Sequence, residues 1–154
     1  DLVKEVVTHW YQLCRQNDKR INFAPGAGTA TIFGTRASIF EVISCLITNS
    51  IDAKAGKIRV ETRIEKRPNL DDQLVDHVLI AVCDDGKGFL PGSADKIGSL
   101  GWTTKGVEGH GMGLVLVELL TTQVGGRFFV KQLGRASGEP DTEVMVGIPV
   151  SGQH

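Results

Sequence analysis

Apolar residues recur along the chain at two spacings, which predict helices and strands. Recurrence every three or four residues predicts a helix over residues 1–17 and a second helix that begins at Thr35 or Ser38 and ends near Gly56. A third helix is predicted over residues 110–123, where two consecutive glycines end it. Alternating or continuous apolar runs predict strands at residues 20–24, 29–33, 57–66, 75–83, 127–133 and 142–150.

The order of these elements predicts the fold class. Pairs of strands separated by helices indicate an α+β fold, a two-layer α/β sandwich with helices on one face of a mixed, mostly antiparallel sheet. A dinucleotide-binding fold would need regular strand–helix alternation instead. With 154 residues and no internal repeat, we expect a single domain over residues 1–154.

Charge and composition exclude several classes of protein. The 17 basic and 18 acidic side chains nearly cancel, which argues against a nucleic-acid partner or direct membrane contact. The apolar runs are far shorter than the roughly 20 residues of a spanning helix, and we expect no signal peptide at the start of the chain. We expect a cytoplasmic domain, whose parent chain could be membrane-anchored. Three cysteines without metal-site spacing are expected to be small buried hydrophobes.

Asn49 is a polar residue in an otherwise apolar helix. A buried amide needs a partner, so one interpretation is a hydrogen bond from helix to sheet inside the core. The other is an amide oxygen offered to hydrated Mg²⁺, which prefers hard oxygen ligands. Asp52, one helical turn further on, could hold a water or a basic side chain there.

A second polar segment, Asp84-Asp85-Gly86-Lys87-Gly88-Phe89, follows the apolar strand at residues 75–83. It is either a surface Asp-Gly turn or part of a ligand pocket. A carboxylate in a pocket can accept a hydrogen bond from the amino group of adenine, which guanine lacks at that edge. Gly86 and Gly88 would permit close approach of the base.

A third segment, Gly109-His110-Gly111-Met112-Gly113-Leu114, leads directly into the third helix. Its glycines remove side chains from a helix N-terminus, where exposed N–H groups and the helix dipole favour a phosphate. The segment does not follow a strand, so it is not a dinucleotide-binding fingerprint, and it lacks the lysine of a Walker loop.

In this order and spacing, the three segments resemble the N box and the two glycine boxes of the Bergerat-fold (GHKL) ATPases, over about residues 35–150. The resemblance implies that ATP and Mg²⁺ are the cofactors, that Asn49 holds the metal and that Asp84 binds the adenine amino group. It implies an ATP lid over residues 89–108, in which Lys105 would act on the phosphates unless it is a solvated loop lysine. The other implied cofactor-binding residues are Asp52, Ala53, Gly86, Gly88, Phe89, Thr103, Thr104, Gly109, His110, Gly111, Met112, Gly113 and Leu114.

Cys45 indicates the branch of this family. Chaperone and mismatch-repair ATPases carry a glutamate base there, four residues before the asparagine, whereas typical histidine kinases carry asparagine. A cysteine in an apolar helix is a poor base, which argues against self-contained hydrolysis. The short lid and its Gly-Trp-Thr-Thr-Lys stretch look like citrate/fumarate-type or nitrogen-sensor kinases.

The resemblance therefore implies the ATP-binding catalytic domain of a sensor histidine kinase. Its γ-phosphoryl acceptor would be a histidine on a separate dimerisation domain, upstream of Asp1, and its downstream partner a response regulator. None of His9, His77 and His154 is expected to be the acceptor. Alternatives are an anti-sigma-type serine kinase, a non-catalytic nucleotide-binding module and an ATP-driven conformational clamp.

Overall fold

Three helices and five strands form the described part of the chain. The structure is a computed structural model that describes residues 2–28, 30–32, 34–52, 56–69, 71–85, 110–132 and 142–151. The helices are α1 (Leu2–Gln16), α2 (Arg36–Asp52) and α3 (His110–Gln123). The strands are β1 (Arg20–Ala24), β2 (Lys57–Pro68), β3 (Leu74–Asp84), β4 (Arg127–Gln132) and β5 (Thr142–Pro149).

The strands form one mixed sheet in the order β1-β2-β3-β5-β4. β1 runs parallel to β2, and the other three pairs are antiparallel. Between β2 and β3, the Asn69 side chain accepts hydrogen bonds from the backbone N–H groups of Asp71 and Gln73, both at 2.9 Å. Such local bonding is typical of asparagine in turns. The predicted mixed, mostly antiparallel sheet is confirmed.

The helices cover one face of the sheet, as predicted for a two-layer sandwich. α2 begins as an N-cap structure, because the Thr35 hydroxyl accepts a hydrogen bond from the N–H of Ser38 at 3.1 Å. Burial removes apolar side chains of both layers from water, which is the main stabilising contribution. The largest fully buried side chains of this core are Val6, Val42, Ile43, Leu46, Ile47, Ile58, Val60, Ile80, Val82, Val117 and Ile148.

The strand predicted at residues 29–33 is wrong. Within residues 30–32, Ile32 forms only an isolated antiparallel bridge with Val150. Among the described residues, β1 therefore pairs in parallel with β2 and forms no hairpin with residues 30–32. The chain after β1 passes closely over β2: the N–H of Gly26 donates to Thr62 Oγ1 at 3.0 Å, and a Cβ on Gly26 would overlap the Thr62 carbonyl oxygen. The segment crosses the sheet at this point, so it cannot extend alongside β1.

Ile64 of β2 is 43% exposed and lies past Glu61, the last residue of β2 that is paired with β1. The expectation that all three cysteines are buried needs correction. Cys45 is half-buried, whereas Cys14 and Cys83 are buried as predicted. The predicted hairpin loop at residues 134–141 lies outside the described residues.

Charged side chains cover the opposite face of the sheet around a smaller apolar cluster. Leu79, Ala81 and Met145 are buried there, with Phe129 packed against them. The guanidinium of Arg67 lies 5.2 Å from the centre of the Phe129 ring, which is a cation–π distance. Long arginine side chains can shield apolar atoms while their charged ends remain in water. This face therefore needs no second helix layer to bury its apolar residues.

Candidate active site

The last residue of β3 contacts the last turn of α2. Asp84 continues the alternation of Ile80 and Val82, so its side chain faces the helices, and it is only 3% exposed. Ser50 lies on the buried face of α2, one turn after Leu46, and is also 3% exposed. The Ser50 hydroxyl donates a hydrogen bond of 2.6 Å to Asp84 Oδ2. Asp84 and the Asn49 segment therefore meet in space, as the resemblance implies.

The neighbouring aspartate has a different role in the structure. Asp85 Oδ1 accepts hydrogen bonds from the N–H groups of Gly56 at 2.8 Å and Lys57 at 2.9 Å. Its own N–H donates to the Lys57 carbonyl oxygen at 3.3 Å. Asp85 thus fastens the end of β3 to the connection between α2 and β2. Of the two consecutive carboxylates, Asp84 is the one that points between the layers, which agrees with its selection from the sequence.

Asn49 lies in the last helical turn of α2, immediately before Ser50, and is half-buried. Partial exposure on the residue beside the Asp84 contact suits an amide that binds a hydrated cation. Asp52 ends the same helix. An amide oxygen is a hard ligand of the kind that Mg²⁺ accepts, together with several waters. The residue type and its position thus fit the predicted metal ligand.

Cys45 lies one turn before Asn49 and cannot act as a base at neutral pH. Burial, followed by the nearby negative charge of Glu41 and the hydrogen bond to it, raises the pKa of its thiol to about 11. The Cys45 thiol also contacts Glu41 Oε1 at 3.7 Å. Glu41 itself is exposed, one turn further from the Asp84 contact. The expected weakness of Cys45 as a base therefore has a physical cause in this structure.

The start of α3 lies at the same end of the sandwich. α2 and α3 pack against each other. A Cβ on Gly34, just before α2, would lie 3.2 Å from Val124 Cγ1, just after α3. The start of α2 is therefore beside the end of α3, so the two helices run in opposite directions. Both are about 20–25 Å long, which brings the N-terminus of α3 to the end where Ser50 meets Asp84.

The structure describes some of the predicted site residues, and the others lie outside its described residues. The backbone of residues 110–114 is the first turn of α3, as predicted for a phosphate-binding helix start. Other predicted site residues lie outside the described residues, namely Ala53, Gly86, Gly88, Phe89, Thr103, Thr104, Lys105 and Gly109. The predicted lid at residues 89–108 also lies outside them.

Sequence reasoning assigned no role to Ser50 or Asp85. Ser50 had a detectable signal, because it is a polar residue at the spacing of the buried face, four residues after Leu46. A hydroxyl at such a position needs a partner. Nothing in the local sequence marks Asp85 as the residue that binds Gly56 and Lys57, because those groups lie 29 and 28 residues earlier in the chain, respectively.

A group of possible cation ligands lies on the other face of the sheet. The ligand atoms of Glu61, Cys83 and Glu143 are within 4.8 Å of one another. Arg63 already pairs with both carboxylates, at 3.3 Å to Glu61 and 3.7 Å to Glu143. Burial and these carboxylates raise the pKa of the Cys83 thiol to about 12. A protonated thiol beside a guanidinium is a poor cation site, so the α2 side remains the better candidate.

Comparison with known families identifies the family of this chain. The family model for histidine kinase-, DNA gyrase B- and HSP90-like ATPases matches residues 34–152, more than three quarters of the chain. The chain belongs to this ATPase family. The matched range contains α2, the end of β3 and α3, and it begins and ends close to the range of the sequence resemblance.

Relatives of this ATPase domain are sensor kinases. It is 28% identical over 137 residues to the sensor histidine kinase ZraS of Salmonella typhimurium, covering 85% of this chain and 28% of ZraS. The chain thus spans under a third of that relative's length. A full-length ShkA structure in complex with AMPPNP has a TM-score of 0.74 at 19% identity, covering 97% of this chain and 29% of ShkA.

Solved domains of similar size share the whole fold of this ATPase domain. The ATP binding domain of PrrB from Mycobacterium tuberculosis has a TM-score of 0.72 at 17% identity, covering 99% of this chain and 93% of that domain. The α+β sandwich of the histidine kinase ATP-binding domains is therefore the fold of this chain. Among the described residues, no helix has the length and hydropathy needed to cross a bilayer.

Proposed function

We propose that this domain binds Mg-ATP and donates the γ-phosphoryl group to a histidine on a separate dimerisation domain, as the catalytic part of a sensor histidine kinase. The observation that carries the proposal is the buried carboxylate of Asp84, which faces α2 at the end of β3 and contacts Ser50. A buried carboxylate is costly unless it has hydrogen-bond donors. Ser50 supplies one donor, and the amino group of a bound adenine would supply another.

The proposed role of Asp84 is selection of the base. A carboxylate accepts hydrogen bonds and cannot donate them when ionised. The 6-amino group of adenine is a donor. Guanine has a carbonyl oxygen at that position, so two hydrogen-bond acceptors would face each other and repel. A site built to bond one polar group rejects an analogue that lacks it, because its own buried polar atom is left unpaired.

The cation and the phosphates would be held by the two helices. Asn49 on α2 would supply an amide oxygen to Mg²⁺, which keeps several waters as further ligands. The N-terminus of α3 would receive the phosphates, because its free N–H groups and dipole favour negative charge. When bound, Mg²⁺ would neutralise charge on the triphosphate. Catalysis would then consist mainly of positioning and charge neutralisation.

The acceptor and the partners lie outside this domain in the proposal. Cys45, whose thiol has a pKa of about 11, supplies no base for water or for a hydroxyl group. The dimerisation domain of the parent chain would therefore supply both the histidine and any base. The short span of ZraS that this chain matches leaves room for such a domain in a relative. A response regulator would be the downstream partner, and the domain would act in the cytoplasm.

Base selection is tested by equilibrium titration with ATP and with GTP, each with and without Mg²⁺. The wild type should bind ATP more tightly than GTP, and Asp84→Asn should lose at least about tenfold in ATP affinity. Asp85→Asn is the matched control, because it makes the same change one residue away at a carboxylate that faces Gly56 and Lys57. Equal binding of the two nucleotides, or unaltered ATP binding by Asp84→Asn, would refute the adenine assignment.

The metal assignment is tested by Asn49→Ala. This variant should weaken ATP binding in the presence of Mg²⁺ and have little effect on binding without it, because the amide acts through the cation. Thr48→Ala, at an exposed position on the same helix, serves as the control. A loss of affinity that is the same with and without Mg²⁺ would rule out a metal ligand at Asn49.

A non-catalytic nucleotide-binding module is the second candidate, and Cys45 is the observation that favours it. Phosphoryl transfer from labelled ATP to the parent chain's dimerisation domain separates the two functions. A product labile to acid and stable to alkali would be phosphohistidine, as proposed. An acid-stable product would instead favour an anti-sigma-type serine kinase. Binding of ATP without any transfer would favour the non-catalytic module.

A further inference from the structure

We propose that Ser50 is a positioning residue for base recognition: its hydroxyl fixes the orientation of the Asp84 carboxylate so that Asp84 can accept the amino group of adenine. This inference rests on the proposed function, since it concerns how Asp84 reads the base. It adds a residue from the helix layer to a site whose base-reading group comes from the sheet.

The geometry of the contact is that of a strong hydrogen bond. The Ser50 Oγ to Asp84 Oδ2 distance is 2.6 Å, within the short range of hydroxyl-to-carboxylate bonds. Both residues are 3% exposed, so water does not compete effectively for either group. The bond joins residues 34 positions apart and links the last turn of α2 to the end of β3. It is therefore held by two regular elements that are packed in the core.

A carboxylate at the end of a strand needs such a partner to have one orientation. The terminal torsion of an aspartate side chain is broad, with no strongly preferred staggered position. A hydrogen bond to Oδ2 selects one orientation of the carboxylate plane. Because a carboxylate can accept about four hydrogen bonds, the Ser50 bond leaves acceptor capacity for a ligand. Fixing the acceptor before the base arrives lowers the ordering cost of binding.

A purely structural role for Ser50 would be to hold α2 against the sheet. The two roles differ in one measurable respect. If Ser50 only fastens the helix, its loss should weaken every nucleotide to a similar extent. If Ser50 orients Asp84, its loss should weaken only those nucleotides that carry the amino group that Asp84 binds. The comparison therefore requires two ligands that differ in that group alone.

The experiment uses the domain with ATP and with purine riboside 5′-triphosphate, which lacks the 6-amino group. The wild type should prefer ATP to the analogue. Ser50→Ala should lose roughly five- to tenfold in ATP affinity and less than about twofold for the analogue. Ser50→Thr, which keeps the hydroxyl, should restore most of the preference. Ser44→Ala is the control, because the Ser44 hydroxyl accepts a hydrogen bond from Trp10 Nε1 at 3.1 Å, away from Asp84.

Each result of this experiment decides the proposal. Equal weakening of both ligands by Ser50→Ala, or no weakening of ATP, overturns the role of Ser50 and leaves the adenine assignment of Asp84 intact. A wild type that does not prefer ATP overturns both. Should Ser50→Ala fail to fold, Ser50→Cys replaces it, because a thiol has a similar shape and is only a weak donor. The cysteine variant should then show the same selective loss.

Discussion

Removing the Asp85 side chain should loosen the end of β3 from the connection that follows α2. Asp85→Ala deletes the acceptor of two backbone hydrogen bonds, from Gly56 at 2.8 Å and from Lys57 at 2.9 Å. Hydrogen bonds to a charged group contribute about 1.5–3 kcal/mol each when water is excluded. Gly56 and Lys57 are exposed, so water can replace the lost acceptor. We therefore expect a combined loss of only about 1–2 kcal/mol.

The size of this loss makes it measurable. For a domain of 154 residues, the entropy of unfolding is about 0.3 kcal/mol per degree. A loss of 1–2 kcal/mol therefore corresponds to a decrease in Tm of about 3–6 °C. Urea unfolding followed by far-ultraviolet circular dichroism gives the free energy, and a thermal scan gives the Tm. Asp85→Asn keeps an amide oxygen that can still accept both bonds, so it should lose less than the alanine variant.

Charge alone must be separated from these hydrogen bonds. Asp71→Ala makes the same change of charge at an exposed turn residue, whose N–H rather than its carboxylate is bonded to Asn69. It should shift the Tm by less than about 2 °C, as expected for an ordinary surface position. Similar destabilisation by Asp85→Ala and Asp71→Ala would refute the view that Asp85 fastens the connection.

Two further predictions concern alkaline stability and close packing. The pKa of the Cys83 thiol is raised to about 12 in the folded protein from its ordinary value of 9.0. As the pH rises between these values the unfolded thiol ionises first, so the free energy of unfolding falls. Between pH 7.5 and pH 10, the free energy of unfolding measured in urea should decrease by about 1.4 kcal/mol more in the wild type than in Cys83→Ala. Equal decreases in the two proteins would contradict this prediction. Gly126→Ala should cost about 2–3 kcal/mol, because its Cβ would overlap the Gly147 carbonyl oxygen. In Gly56→Ala the new Cβ would have its nearest contact at 3.8 Å, so the free energy of unfolding in the same assay should stay within about 0.5 kcal/mol of the wild-type value. Similar destabilisation by Gly56→Ala and Gly126→Ala would exclude overlap as the cause.

Most elements of the fold could be predicted from the sequence because each buries one face. α3 was predicted over residues 110–123 and is found there. β2 and β3 were predicted within two residues of their observed limits. The spacing of apolar residues indicates which face of a helix or strand is buried. This spacing is a property of the local sequence, so it can be read without knowing which fold contains the element. The order of elements then restricted the architecture to a few possibilities, of which the two-layer sandwich is the one observed.

Strand pairing was less predictable because it depends on distant parts of the chain. Residues 20–24 and 29–33 looked like the two arms of a hairpin. In the structure, β1 pairs in parallel with β2, and Ile32 bridges Val150, more than 100 residues later. The hydrogen-bonding groups of a strand are the same in every sequence, so the partner is selected by packing of the whole sheet. Local turn signals could not reveal that selection.

The sequence by itself determined the kinds of residue available at the site: an amide on α2, two consecutive carboxylates at the end of β3 and glycines at the start of α3. Only the tertiary structure decided what each carboxylate does. Successive residues of a strand point to opposite faces, and the antiparallel pairing of β3 with β2, which places Asp84 beside Ile58, turns Asp84 toward Ser50 and Asp85 toward Gly56. These partners lie 34 and 29 residues earlier in the chain, so their contacts exist only once helix and sheet have packed.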